Sequence, residues 1–244
     1  MQDHCKAGKE KKSIFAFTLI ELSIVLAIIG LIVSGIISGQ SLIKQSSMRK
    51  DAAFISQVQI GIAQFKVEYL ALPGDFTTAS TYWSGAVNGN GDGQYGSWYC
   101  PGNAETYTLW QHLALAGFIP GTFTGTGSTA YVGQNVPAVA MNPYFEYCAY
   151  YGNHSNVYPT HNAITSGFGN PELGLTNAFP QKYMAAIDRK IDDGFPKRGR
   201  IMSFCTGETS VNSSTDKTTT YYIDSSPDAG CGVSFAADPQ FIYK

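Results

Sequence analysis

Glu21 is the one charged residue in an apolar run, residues 13–39, that follows directly on Lys11 and Lys12. A carboxylate at that depth in hydrocarbon is expensive and is retained for a function with a definite partner. A second candidate for chemistry is Asn88-Gly89-Asn90-Gly91-Asp92-Gly93. It places oxygen side chains at positions 1, 3 and 5 and a glycine at 6, like the opening of an EF-hand calcium loop. Position 12 falls on Tyr99, where the EF-hand has a bidentate glutamate, so a complete site needs a carboxylate from elsewhere. Asp75, Glu105, Asp192 and Asp193 are the available donors. The same hexapeptide also reads as a plain glycine-rich turn in which Asn and Asp adopt left-handed geometry. Calcium, if bound, would be structural; no other cofactor is indicated.

Two further groups are charged or titratable. Residues 188–194 (DRKIDDG) and 196–200 (PKRGR) form a helix end and turn. The basic stretch reads either as a DNA-contacting patch or as a solvated turn whose field Asp192 and Asp193 largely cancel. His112, His154 and His161 sit in no recognisable nucleophile or metal motif, and the chain lacks G-x-S-x-G, H-E-x-x-H and P-loop signatures. The expectation is a protein that is not an enzyme.

The elements that would position these residues begin with one long helix over residues 17–69. Its first half is apolar all round, as a membrane span or bundle core is. Its second half carries Phe54, Val58, Ile62, Phe65 and Tyr69 at helical spacing, one apolar stripe with Ser56, Gln57, Gln59, Gln64 and Glu68 around it. At 1.5 Å per residue such a helix is about 80 Å long. Gly30, Gly35 and Gly39 interrupt the apolar half, as sites of local melting or of close helix approach. Pro73 and Gly74 end the helix. Residues 76–108 read as a long loop with short strands, and a short helix opening at Thr106 or Thr108 stops at Gly117. Residues 119–178 read as mostly irregular, with 144–151 as a strand. Residues 181–191 form the second clear helix, and 200–205 and 231–236 alternate like strands. Tyr144, Tyr147, Tyr150 and Tyr151 suit either a contact face or the core of a domain with few aliphatic residues.

The chain has 244 residues and a formal charge of −2. A mildly acidic domain makes nucleic acid an unlikely main partner, since phosphate binding needs concentrated Lys and Arg. Lys11 and Lys12 hold the N-terminal end in the cytoplasm by the positive-inside rule, which puts the downstream domain across the membrane. Cys100, Cys148, Cys205 and Cys231 are an even set, and in an exported domain they read as two disulfides. Three pairings are possible; Cys205–Cys231 and Cys100–Cys148 close the local loops.

Phe15-Ala16-Phe17-Thr18-Leu19-Ile20-Glu21, with the basic leader before it and the apolar run behind, resembles the class III signal of type IV prepilins and type II secretion pseudopilins. Ala16 stands where that family usually has Gly, and Ser38 where pilins often have a kinking Pro. The resemblance covers about the first 55 residues. It implies cleavage between Ala16 and Phe17 by a prepilin peptidase, followed by N-methylation of Phe17. The leader takes four lysines, one aspartate and one glutamate with it, so the mature chain carries two more net negative charges than the precursor. Residues 17–39 would then be the transmembrane and assembly half of the helix, 40–72 its amphipathic half, and 73–244 a globular pilin-like domain. Glu21 of an incoming subunit would pair with the Phe17 amine of its neighbour; a pair within one chain is the rival. Implied partners are homologous subunits and an inner-membrane platform with its ATPase. The implied location is the bacterial inner membrane, single-pass with a periplasmic domain, and then a filament.

Past the anchor, Leu72-Pro73-Gly74-Asp75, the Asn-Gly-Asn-Gly-Asp-Gly loop and Ile191-Asp192-Asp193-Gly194 are similar to some proteobacterial prepilin-like proteins. The expected fold is α+β, a long N-terminal helix with a C-terminal antiparallel sheet stapled by disulfides. The expected role is a structural subunit of a pilus or pseudopilus, the alternative being a minor pilin that acts at the tip as a binding or adhesion module.

Overall fold

A computed structural model describes residues 18–96, 104–145, 147–152, 161–166, 179–196, 198–205 and 230–237. The architecture is α+β. Helix α1 (Leu19–Tyr69) is followed by the short α2 (Ala79–Tyr82), α3 (Ala104–Leu115) and strands β1 (Tyr147–Gly152), β2 (His161–Ser166) and β3 (Phe179–Pro180). Helix α4 (Gln181–Ile191) and strands β4 (Ile201–Cys205) and β5 (Gly230–Ala236) complete it. The chain divides into two compact units within α1, between Lys44 and Gln45.

In the first unit every described residue from Thr18 to Ser38 is exposed. Gly30, Gly35 and Gly39 lie in unbroken helix, and a Cβ at any of them would meet nothing within 4 Å. Among the described residues, α1 is the one helix long and apolar enough to cross a membrane.

In the second unit α1 buries Asp51, Ala52, Ile55, Val58, Gln59, Gly61, Ile62 and Phe65. These lie on one face, as the apolar spacing requires, with Phe54 and Tyr69 half-buried at its edge. Each fully buried Val, Ile or Phe contributes roughly 1.5–3 kcal/mol of transfer free energy. Gly61 lets α3 and the chain after it approach: a Cβ there would lie 3.0 Å from Phe118 Cβ and 3.6 Å from a Leu113 methyl. The helix ends when Leu70 turns to φ 53°, ahead of Pro73 and of Gly74 at φ 96°.

The sheet is antiparallel throughout, with β5 at its centre. Strand β4 runs along one edge of β5, Ile201 opposite Phe235 and Cys205 opposite Cys231. Strands β2 and β3 share the other edge, β2 on residues 233–236 and β3 on residues 230 and 231. Strand β1 pairs outside β2, Tyr147 opposite Ser166. Rings connect the layers: Phe54 lies 6.3 Å from Trp110 and 5.1 Å from Tyr147, and Tyr147 lies 6.4 Å from Phe235. This chain of aromatic contacts joins α1, α3, β1 and β5.

Several expectations change. Helix α3 starts at Ala104, ahead of Thr106. The described part of 76–108 contains a helical turn, α2, and no strand. The described residues of 119–178 are mostly irregular, over 119–145, and besides β1 the segment contributes β2, the strand that joins β1 to β5. Of the tyrosines, Tyr147 is core and Tyr144 is on the surface.

Candidate functional site

The start of α1 is closed by a reciprocal pair of contacts. Thr18 donates both its N–H and its hydroxyl to Glu21 Oε2, each at 2.8 Å. Glu21 N–H donates back to Thr18 Oγ1 at 3.3 Å, and the Thr18 carbonyl accepts the first helical bond from Leu22. This is a capping box of the T-x-x-E type, which satisfies amide donors that a helix start leaves without partners. Glu21 therefore has a local structural task besides any intermolecular one. The motif is legible in Thr18-Leu19-Ile20-Glu21, though the charge in the apolar run draws attention first.

The loop 88–93 wraps around Asp75. Asp75 Oδ1 accepts the N–H groups of Gly91 and Asp92, and Oδ2 accepts that of Gly93 at 2.8 Å. Consecutive backbone N–H groups turned inward in this way form a nest for an anion. Glycine is required for close approach at Gly89, where a Cβ would lie 2.3 Å from the Asp75 carbonyl carbon. Asn88 Oδ1 accepts from Ser80 N–H at 2.8 Å, and Asn90 Oδ1 accepts from Asp92 N–H at 2.8 Å. Both amides are thus engaged in holding turns. Asp92 Oδ1 accepts from Gln94 N–H at 2.8 Å.

Helix α3 supplies the other wall. Glu105, in its first turn, accepts Asn90 N–H on Oε1 at 3.2 Å. Its other oxygen, Oε2, is buried, and the Gly96 N–H also bonds this carboxylate. Burial raises the Glu105 carboxyl above the usual carboxylate range, and the charges of Asp75 and Asp92 push it the same way. One oxygen from each of Asp75, Asp92 and Glu105 lies within 4.8 Å of the others. Two turns further along α3, His112 Nδ1 accepts Gly74 N–H at 2.9 Å and Nε2 lies 2.7 Å from the Val87 carbonyl. The first bond leaves Nε2 as the protonated nitrogen, donating to Val87. Gln111 adds a bond from Val87 N–H at 2.9 Å and donates to Thr124 O at 3.0 Å. Helix α3 thereby fixes the residues next to Asp75 and to Asn88. His112 had no motif to announce this, because both its partners are backbone groups far away in sequence.

No family model, curated protein or solved structure matches this chain.

The other acidic cluster, Asp188, Asp192 and Asp193, is engaged differently. Asp188 Oδ1 accepts from Gly194 N–H, and Asp193 accepts from Phe195 N–H on one oxygen and from Arg198 Nε at 2.8 Å on the other. Asp192 Oδ2 accepts the N–H groups of Arg200 and Ile201. The Arg200 guanidinium donates to the Ile191 carbonyl, and that of Arg198 stacks 3.5 Å from the Phe195 ring centre. These bonds describe a turn joining α4 to β4, with its arginines occupied by its own groups. Asp192 and Asp193 stand apart from the acids around loop 88–93. Of the candidate donors, Asp75 and Glu105 are the ones that join Asp92.

Cys148 and Cys231 are buried, and each is disulfide-bonded. Ala16, Phe17, Cys100 and His154 lie outside the described residues.

Proposed function

We propose that this chain is a structural subunit of a type IV pilus or a type II secretion pseudopilus, built into a filament through its N-terminal helix. The observation that carries the reading is the contrast along α1. Residues 18–38 bury nothing, while from Asp51 onward one face is packed in a core. A contiguous apolar surface of that size demands a covering, either lipid or other helices. Membrane insertion alone would be served by an uncharged helix, and Glu21 sits in its first turn.

A prepilin peptidase cuts after Ala16 and methylates the new Phe17 amine. The Glu21 carboxylate then has a cation four residues away in sequence on each chain. Pairing of Glu21 with the Phe17 amine of a neighbouring subunit neutralises two charges as the helix leaves lipid for the filament core. An opposite charge nearby offsets the cost of taking each out of water. The precursor stays single-pass in the inner membrane with its folded domain in the periplasm, and a platform ATPase supplies the work of extrusion. The oxidising compartment suits two disulfides. Cys205 opposes Cys231 in the β4–β5 register, and we assign Cys205–Cys231 and Cys100–Cys148.

A second reading is a minor subunit at the filament tip. The long connection from α1 to β1, which carries α2 and α3 and whose described residues 119–145 form no regular element, favours it by offering room for a binding surface. Position separates the two, since immunogold labels a major subunit along the filament and a tip subunit at its end. The decisive measurement is the intact mass and N-terminus of the protein from cells with and without active prepilin peptidase. Loss of residues 1–16 with one methyl on Phe17 supports the reading. An uncut chain, or a cut beyond Gly39, removes it.

A further inference from the structure

We infer that Arg49, Lys50 and Tyr144 seat the second unit on the phosphates of anionic lipid headgroups, where α1 leaves the membrane. The inference rests on the membrane-span reading of α1 and is independent of cleavage and filament assembly. Residues 22–43 carry no charge. In a helix they extend about 33 Å, close to the roughly 30 Å of a hydrocarbon core. The uncharged run ends at Lys44, and Arg49 and Lys50 follow within about 11 Å of Ile43 along the axis. The polar layer adds roughly 5–8 Å on each side of the core. Side chains on a helix lean toward its N-terminus, here toward the apolar run, and long basic ones extend to the headgroups. Both residues are exposed, and neither makes a side-chain hydrogen bond or ion pair among the described residues. Asp51, the acid beside them in sequence, is turned inward to Ala140, Met141 and Tyr147, so it leaves their field uncompensated. The arginines of the α4–β4 turn show the contrast, since Arg198 pairs with Asp193 and Arg200 caps Ile191.

Tyr144 stands at the same end of the unit. Val139 N–H donates to the Phe145 carbonyl at 2.9 Å and Tyr147 N–H to that of Pro137 at 3.1 Å, which closes a narrow loop. Its base is level with Phe54, whose ring lies 5.1 Å from Tyr147. Its tip is level with Asp51, which accepts the Ala140 and Met141 N–H groups. The loop therefore runs along α1 toward Lys50 and Arg49, and Tyr144 at its tip is 86% exposed. A tyrosine ring with an apolar body and a polar hydroxyl suits the headgroup level, where such residues concentrate. Two unpaired cations beside it match phosphate rather than a neutral surface.

The test places the full-length chain in nanodiscs of mixed phosphatidylcholine and phosphatidylglycerol and identifies the lipid kept by the released protein by native mass spectrometry. The parent should retain phosphatidylglycerol in preference. Arg49→Gln with Lys50→Gln should lower that preference roughly 5–25-fold, about fivefold for each cation near the surface. Lys11, Lys12 and Lys44 are common to both chains, so the difference reports these two residues. Arg49→Lys should keep the preference, and all variants should keep the parent's thermal midpoint, because neither side chain has a partner to lose. Hydroxyl-radical labelling reads the ring. Tyr144 should be labelled less in nanodiscs with phosphatidylglycerol than in phosphatidylcholine alone. Tyr82, 60% exposed and packed on Tyr69 about 27 Å further along α1 than Asp51, should be labelled equally in both. A preference unchanged in the double variant, or equal labelling of Tyr144 in the two lipids, would overturn the proposal and leave the span standing. No lipid of either headgroup on the parent would remove the membrane-span reading and this inference with it.

Discussion

The Tyr147 hydroxyl donates to Asp51 Oδ1 at 3.0 Å, joining the first strand of the sheet to helix α1 across 96 positions of sequence. Asp51 is 1% exposed. It also accepts the N–H groups of Ala140 and Met141, each at 2.8 Å. One carboxylate thus gathers the helix, the turn before β1 and the strand itself. Burial raises its proton affinity, and the three donors work against that rise. The Tyr147 hydroxyl is held well above its ordinary range, by burial first and by the Asp51 charge second.

Removing either partner should therefore be unequal. Tyr147→Phe deletes one of three donors and should cost about 1 kcal/mol, whereas Asp51→Ala leaves two half-buried N–H groups and a buried phenol unpaired, at about 1–3 kcal/mol for each that stays dry. Urea denaturation of the two single variants and the double variant checks this. Equal losses would mean that water reaches the site.

His112 makes stability depend on pH. Burial lowers its pKa, and the ring packs against Phe65 at 6.0 Å with Phe76 and Trp83 at 6.3 Å. The folded state therefore binds this proton less readily than the unfolded chain. Its contribution is present above about pH 6.5, the unfolded value, and is lost as pH falls toward the lower folded value. Asp51 and Asp192 have raised pKa values and act oppositely, since the folded state takes up their protons first. The difference between parent and His112→Gln isolates the histidine. Denaturation midpoints from about pH 7.5 to 5 should converge on acidification, and a constant gap would exclude this role.

The capping box separates two tasks of Glu21. Glutamine serves at the third helical position of such a box as glutamate does. Glu21→Gln should keep amide protection at the start of α1 in detergent micelles, read by hydrogen exchange, yet abolish filaments. Glu21→Ala should lose both. Filaments formed at parental level by Glu21→Gln would show that the charge plays no part in assembly.

Glycines of loop 88–93 should differ sharply in tolerance. At Gly89 a Cβ would fall on Asp75 backbone atoms, so Gly89→Ala must move the loop and should cost about 3 kcal/mol. Gly93 has φ 80° with open space around it, and Gly93→Ala should cost only the left-handed penalty of about 1–2 kcal/mol. Thermal unfolding of the two variants checks the order, which a collapsed or displaced loop would reverse.

Local repetition made much of this molecule legible in its sequence. The stripe Val58, Ile62, Phe65 appears as a buried face, α4 spans Gln181–Ile191 as its spacing indicates, and β4 and β5 fall within a residue of their alternating runs. These features follow from periods of 3.6 and 2 residues, which neighbours in sequence set among themselves. The turn glycines and the T-x-x-E start of α1 are local in the same sense.

Tertiary structure alone decided the rest, because the partners are remote. Strand β3 has two residues and exists only by pairing with Gly230 and Cys231. Asp51 reads as one more polar residue on a helix until Tyr147 and the 140–141 turn close over it. Asp75, Asp92 and Glu105 are separate acids in sequence. They become a cluster because Gly89 lets the loop lie against Asp75 and because α3 brings Glu105 alongside. A charge or an imidazole carries no periodic signal, so its burial and its partners are fixed only when distant chain segments pack against it.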